Sequence, residues 1–235
     1  MLQNNLISTL ITFIVSLVWL RLNNLAADRG WVSSQISRKI IHMGTGPLFV
    51  LCWLLYTPDP RSRFLAALVP FAITVQFILV GIGIIRDPTA VQSMSRTGDR
   101  REILRGPLFY GIGFVILTIA FWYDTPTGIV ALMLMSGGDG LADILGRRYG
   151  RARLPWNMNK SWVGSLGMLL GGWAFSVGIV WIYIQFSAFR IPLGEILPAI
   201  TLIAFIATLV ESLPLEDVDN LTVTFSAVIM GYFLF

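Results

Sequence analysis

Charge is scarce in this chain. Only 13% of its 235 residues are Asp, Glu, Lys or Arg, where a soluble domain carries about a quarter. Hydrophobic residues make up 55%, and the mean hydropathy is +0.74, which excludes an ordinary soluble domain and points to an integral membrane protein. Cysteine is nearly absent as well. The single Cys52 excludes a disulfide framework and a cysteine-based metal cluster, and inside an apolar run it reads as a packing residue. The first residues, MLQNNLISTLITFIVSLVWLRL, lack a basic leader region and a small-residue cleavage site, so a retained first span is expected rather than a signal peptide. No transit peptide, internal repeat, low-complexity linker or second domain is evident.

Long apolar runs are abundant. They fall at about 5–20, 40–57, 64–85, 107–123, 127–146, 163–186, 195–213 and 221–235. The expectation is an all-α, polytopic membrane bundle of about eight helices, several of them short for a bilayer that needs about 20 residues. Fourteen of the 17 Lys and Arg residues lie in three segments, 21–39, 86–106 and 147–160. With eight spans these segments share one side, and the positive-inside rule makes that side cytoplasmic. The acidic turn PLEDVDN, 214–220, falls on the same side, with both termini opposite. A net charge of +4 distributed in this way gives no reason to expect a nucleic-acid partner.

Two acids interrupt this apolar pattern. Asp139 and Asp143 lie within GGDGLADILGRRYG, 137–150, after the run GIVALMLMS. An acidic side chain near a bilayer centre costs roughly 2.5–3.5 kcal/mol on insertion scales. For a helix ending at 146, they stand roughly 10 Å and 5 Å from its end, at 1.5 Å per residue, on one face at i, i+4 spacing. Gly137, Gly138 and Gly140 leave the backbone around Asp139 bare, permitting close helix approach or a ligand against the main chain. Three readings are open for the pair: a structural ion pair with neighbouring arginines, a proton or ion pathway, or a Mg²⁺ site built from carboxylates and substrate phosphates.

The flanking residues favour the third. Gly146, Arg147 and Arg148 follow directly, then RLPWNMNKSWVGS, 153–165. Arginine and Lys160 suit phosphate oxygens. Ser161 reads as the N-cap of the next helix, whose free N–H groups suit an anion. Carboxylates for a metal, cations for phosphate and a helix end for an anion together suggest metal-assisted chemistry on a nucleotide or diphosphate. Familiar phosphate motifs are missing: Asn159 precedes Lys160-Ser161, so there is no P-loop, no kinase-like glycine series follows a GxGxxG, and DGLAD lacks the DGxxAR spacing of CDP-alcohol transferases.

GDGLADILGRRYG, LPWNMNKSWVGSLGM and VESLPLEDVDNLTV resemble blocks of the polyprenol kinase family, whose members include phytol, farnesol and dolichol kinases. SRKIIHMGTG, 37–46, resembles its N-terminal block and RREILRGPLFYG, 100–111, its middle block. The likeness covers most of the chain, read as one domain over 1–235. It implies CTP-dependent phosphorylation of a membrane isoprenoid alcohol, most nearly phytol, to its monophosphate with release of CDP. It further implies Mg²⁺ held by Asp139, Asp143 and Asp219, with catalysis by Asp139, Asp143 and Lys160. Nucleotide phosphates would meet Arg38, Lys39, Gly146, Arg147, Lys160, Ser161 and Gly164. The family's acidic turn usually pairs its aspartates before the Asn. Here Asp217 is displaced by one residue, and Asp219 is the choice.

His42, Glu102, Arg105, Glu211 and Asn220 are additional candidates. His42 follows Arg38 and Lys39 at helical spacing. Glu102 and Arg105, three apart, suit a local ion pair or a lipid headgroup. Glu211 suits an arginine partner or the metal. Trp19, Trp53 and Trp122 read as interface anchors. Two other functions fit the same residues: a related CTP-using lipid enzyme of diacylglycerol kinase or cytidylyltransferase type, distinguished by its product, and a cation-coupled transporter, which would consume no nucleotide.

Overall fold

The computed structural model describes residues 4–95, 97–214 and 219–235, the side chains of Ser34, Gln35 and Asp219 excepted. Its contacts divide into two compact units, residues 1–119 and 120–235, and each is described by itself.

The first unit contains α1 (Asn5–Asp28), α2 (Ser34–Trp53), α3 (Ser62–Ile82), the short α4 (Pro88–Met94), a 3₁₀ turn (Arg100–Leu104) and α5 (Gly106–Phe121), whose last residues cross the division. Asn4 and Ser33 cap α1 and α2 by accepting backbone N–H groups through their side chains. Helix α1 packs on α2 and α3, and its buried positions are Ser8, Thr12 and Asn23, whereas Leu6, Leu10, Ile14 and Leu22 are exposed. That is the inverse of a soluble amphipathic helix: lipid solvates the apolar side chains, and hydroxyls bond within the protein. The Tyr56 hydroxyl donates to Thr9 and Thr12 in this way (3.2 and 3.4 Å).

The second unit is built around one helix that runs Thr127–Tyr149 in three stretches: α6 (Thr127–Met133), a π turn (Leu134–Gly138) and α7 (Asp139–Tyr149). Val130 through Met135 are all essentially inaccessible. A helix apolar on every side must be covered on every side; α8 (Trp162–Gln185) and α10 (Asp219–Leu234) supply the cover, and α9 (Leu193–Glu211) packs against both of them. Between α7 and α8 lies a small antiparallel hairpin, β1 (Arg153–Leu154) with β2 (Asn157–Ser161), which an all-α reading of the sequence did not anticipate.

Each of the eight apolar windows coincides with a helix. Among the described residues, six helices are long and apolar enough to cross a bilayer. The two others are α2, whose early turns carry Arg38, Lys39 and His42, and the 16-residue α10, about 24 Å long against a hydrocarbon core of about 30 Å. The chain is a helical polytopic membrane protein. Two sequence expectations need correction. Trp53 and Trp122 are 0% and 1% exposed, so they pack inside the protein and cannot reach a headgroup layer. The helix expected to stop at 146 continues to Tyr149, which places Asp139 about 15 Å from its end rather than 10.

Candidate active site

The two acids sit just after the π turn. The Asp139 N–H donates to the carbonyls of Leu134 and Ser136, the wider bonding that admits one extra residue to the turn. Such insertions re-register the residues on either side and recur at functional sites. Four residues on, Asp143 Oδ1 accepts from Arg147 Nε at 2.7 Å, with the Asp143 side chain 23% exposed. The structural ion pair considered from sequence therefore exists at Asp143.

Glycine decides how α7 meets α8. A Cβ on Gly164 would press on the Ala142 carbonyl, one on Gly167 on the Leu141 carbonyl, and one on Gly171 on the Gly137 carbonyl. Small residues at such spacing let two helix backbones touch. On the α7 side, Gly146 faces the Gly164 Cα, while Gly150 leaves room for Ser161. Gly137 and Gly138 are covered in turn by Phe175 and Met168, so close packing is one use of the bare backbone there. At this crossing Ser161 caps α8, its Oγ accepting from the Gly164 N–H at 3.1 Å. Gly146, Ser161 and Gly164, separate in sequence, thus meet in one place.

Lys160 stands just before that cap. Its Nζ pairs with Glu211 Oε1 at the end of α9. The Glu211 side chain is only 4% exposed, so the lysine helps offset a carboxylate taken almost wholly out of water. Two neighbours hold the hairpin to the same helix end: Asn157 Nδ2 donates to the carbonyls of Ser212 and Leu213 (3.3 and 3.1 Å), and Trp156 Nε1 to Ser212 Oγ (3.3 Å). Those carbonyls belong to the C-cap of α9 and the residue after it, where a helix end leaves acceptors without partners of its own. The acidic turn follows directly. Residues 215–218, Asp217 among them, and the Asp219 side chain lie outside the described residues; Asn220 is in the first turn of α10, its carbonyl accepting from the Thr224 hydroxyl at 2.7 Å. Among the described residues no three His, Cys, Asp or Glu side chains converge as a metal cage.

The remaining candidates belong to the first unit. Arg38 Nη1 donates to the Ser95 carbonyl at 2.8 Å, joining α2 to the end of α4. Lys39 follows it on α2, half-buried. The His42 ring lies against the Tyr110 ring, centroids 4.3 Å apart, and the Tyr110 hydroxyl donates to the His42 carbonyl at 2.7 Å. Glu102 accepts from the Thr97 hydroxyl and N–H (2.8 and 3.2 Å), closing the loop before the 3₁₀ turn, and Arg105 ends that turn.

Sequence reasoning passed over Asn157, Trp156, Ser212 and Tyr110. The first two sit in a block already singled out. Their partners are about 55 residues away, and no local spacing reveals such a pairing.

The chain is 40% identical over 210 residues to the probable phytol kinase, chloroplastic, of Triticum aestivum, the match covering 88% of this chain and 70% of that protein. It is 38% identical over 209 residues to the farnesol kinase, chloroplastic, of Arabidopsis thaliana (88% and 68%) and 33% identical over 209 residues to phytol kinase 1, chloroplastic, of the same plant (88% and 69%). No family model and no solved structure matches the chain.

Proposed function

The chain belongs to the polyprenol kinase family, that of the phytol and farnesol kinases, and from that premise we propose that it transfers the γ-phosphoryl group of CTP to the hydroxyl of a membrane isoprenoid alcohol, most nearly phytol. The alcohol oxygen attacks the γ-phosphorus, the bond from that phosphorus to the bridging oxygen of CDP breaks, CDP departs, and the hydroxyl proton passes to a carboxylate or to water. The products are the alcohol monophosphate and CDP.

The observation that carries this reading is the α7–α8 crossing. Gly146 and Gly150 of the carboxylate helix bring the capped start of α8, with Lys160 before it, against the chain that bears Asp139 and Asp143. Phosphoryl transfer asks chiefly for positioned charge of both signs, and this crossing, where the two backbones approach closely, would supply it. Asp139 and Asp143, with Asp219, would hold Mg²⁺. That ion favours one or two carboxylates plus substrate phosphates over a full protein cage, and it would offset charge on the transferring group when bound. Lys160, Arg147, Ser161 and Gly164 would receive the phosphates. The three basic segments, by the positive-inside rule, support a cytoplasmic face for this chemistry, with the alcohol entering between helices from the lipid.

Purified protein given CTP or ATP and a panel of phytol, geranylgeraniol, farnesol, dolichol and diacylglycerol, with products read by mass, tests the proposal. An isoprenyl monophosphate and CDP are expected. Pyrophosphate as the co-product would make it a cytidylyltransferase, and ion-driven flux without nucleotide use would make it a transporter. Asp139→Asn is expected to lower turnover at least about 100-fold, the scale on which one transition-state charge contact acts, while the protein still inserts and folds. Near-normal turnover in that variant would sink the metal assignment.

A further inference from the structure

The first unit holds a cavity of about 900 Å³ where the end of α3, the short α4 and the Arg100–Leu104 turn come together. Its volume is typical of a small-molecule site, roughly 300–1,000 Å³. Three arginines line it, Arg38, Arg86 and Arg100, together with Asp87 and Asp99.

Both acids are engaged in local structure. Asp87 Oδ1 accepts from the Ala90 N–H at 2.9 Å and caps α4, while its Oδ2 accepts from Gln76 at 3.2 Å. Asp99 Oδ1 accepts from the Arg101 N–H at 2.9 Å and caps the 3₁₀ turn.

Two of the arginines have a definite seat, although Arg100 stays solvent-exposed. Arg38 is fixed to the Ser95 carbonyl. The Arg100 guanidinium lies directly on Gly83, the left-handed residue (φ +89°) that ends α3, where a methyl group would collide with it. Interface anchors need no such seats, because a snorkelling side chain works in many rotamers. Three guanidinium groups against two carboxylates leave the lining net cationic, and the planar forks match phosphate oxygens in pairs. Val80 and Val91 give the same cavity an apolar wall, and Ile84, 70% exposed, continues the apolar surface of α3 beside Arg86. A phosphate carried on an organic group fits this combination.

We propose that this cavity is a phosphate-binding site in which Arg86 and Arg100 act together with Arg38. The phosphate has two sources with the same chemistry. One is a nucleoside triphosphate, and this source rests on the function proposed above. The other is the head of a phosphorylated membrane amphiphile, which stands independently of it.

The test uses the full chain in an uncharged detergent, with equilibrium binding measured in two arms, radiolabelled CTP and phosphatidic acid, and with wild-type turnover recorded separately. Arg86→Gln removes one cation. Gly83→Ala displaces the Arg100 guanidinium while keeping every charge, and Arg86→Lys keeps charge but loses the fork. Thermal unfolding of each variant establishes that it folds. In one arm, Arg86→Gln and Gly83→Ala are expected to bind about tenfold more weakly than wild type, or 1.4 kcal/mol, with Arg86→Lys between. Loss confined to the CTP arm assigns the cavity to the nucleotide, and loss confined to the lipid arm assigns it to the amphiphile. Unchanged affinity in both arms for Arg86→Gln and Arg86→Lys overturns the site even if Gly83→Ala fails to fold. Absent wild-type turnover with an intact lipid arm counts against the proposed function and leaves the cavity standing.

Discussion

Helix α1 buries Ser8 and Thr12 and exposes Leu6, Leu10 and Leu22, whereas the Thr127–Tyr149 helix buries everything from Val130 to Met135 and exposes only its far end, at Arg147 and Arg148. Both read in the sequence as apolar runs. The first is solvated by lipid on most of its surface, so its few polar side chains turn inward to find hydrogen-bond partners. The second is solvated by protein. Its apolar side chains pack against α8 and α10, and its two carboxylates follow the π turn, each half-buried in the protein. Hydropathy registers the same run in both cases. What surrounds the helix decides whether a charge on it is an expense or a site.

The sharpest way to break this contrast is to separate the protein-solvated helix from its neighbour. Gly167→Leu drives a side chain into the Leu141 carbonyl and the Leu145 side chain and is expected to cost about 3 kcal/mol, read as a lower unfolding temperature in detergent. Gly178→Leu on the same helix, where a Cβ meets open space, is the matched control and is expected to leave that temperature within a degree or two.

Lys160→Ala comes next. It takes the lysine away from the buried Glu211 carboxylate, a change of about 2–3 kcal/mol for a pair whose lysine is partly exposed. Under the proposed function it also raises the CTP concentration needed for half-maximal turnover. Adding Glu211→Gln removes the stranded charge, so the double variant is expected to recover part of the stability and none of the CTP response. A double variant no more stable than the single one would show that the pair contributes nothing through charge burial.

Arg147→Ala breaks an exposed i, i+4 pair with Asp143 and is expected to cost only about 0.3–0.5 kcal/mol. A turnover loss much larger than that stability change would separate a phosphate role from a helix-stabilising one. Smallest is Leu10→Ala on α1. The side chain is 59% exposed, and lipid replaces it, so the unfolding temperature is expected to hold within error. A marked drop would mean that this face is covered by another protein surface, and the comparison with the second unit would fail.

The parts of this structure that local chemistry controls were readable in advance. Ser161 caps α8 because a hydroxyl before an apolar helix satisfies an N–H that nothing else reaches. The i, i+4 spacing of Asp143 and Arg147 brings them together on any helix. The eight apolar windows are helices because a chain crossing lipid must bond its backbone internally. Trp53 and Trp122 show where such reasoning stops. A tryptophan near a span end suits either a headgroup layer or a protein interior, and only the neighbours choose.

By itself, then, the amino-acid sequence determined a helical membrane protein, its helix caps and two carboxylates on one helix face, because these follow from bonds within a few residues and from the solvent the chain must enter. Only the tertiary structure decided that Lys160 faces Glu211, that Asn157 holds the end of α9, that His42 rests on Tyr110 and that Arg38 shares a cavity with Arg86 and Arg100. Each of these joins residues about 50 or more apart, and which partners meet depends on where glycines let backbones approach and where bulk keeps them apart. That choice belongs to the packing of all the helices in a unit, not to any segment of the chain.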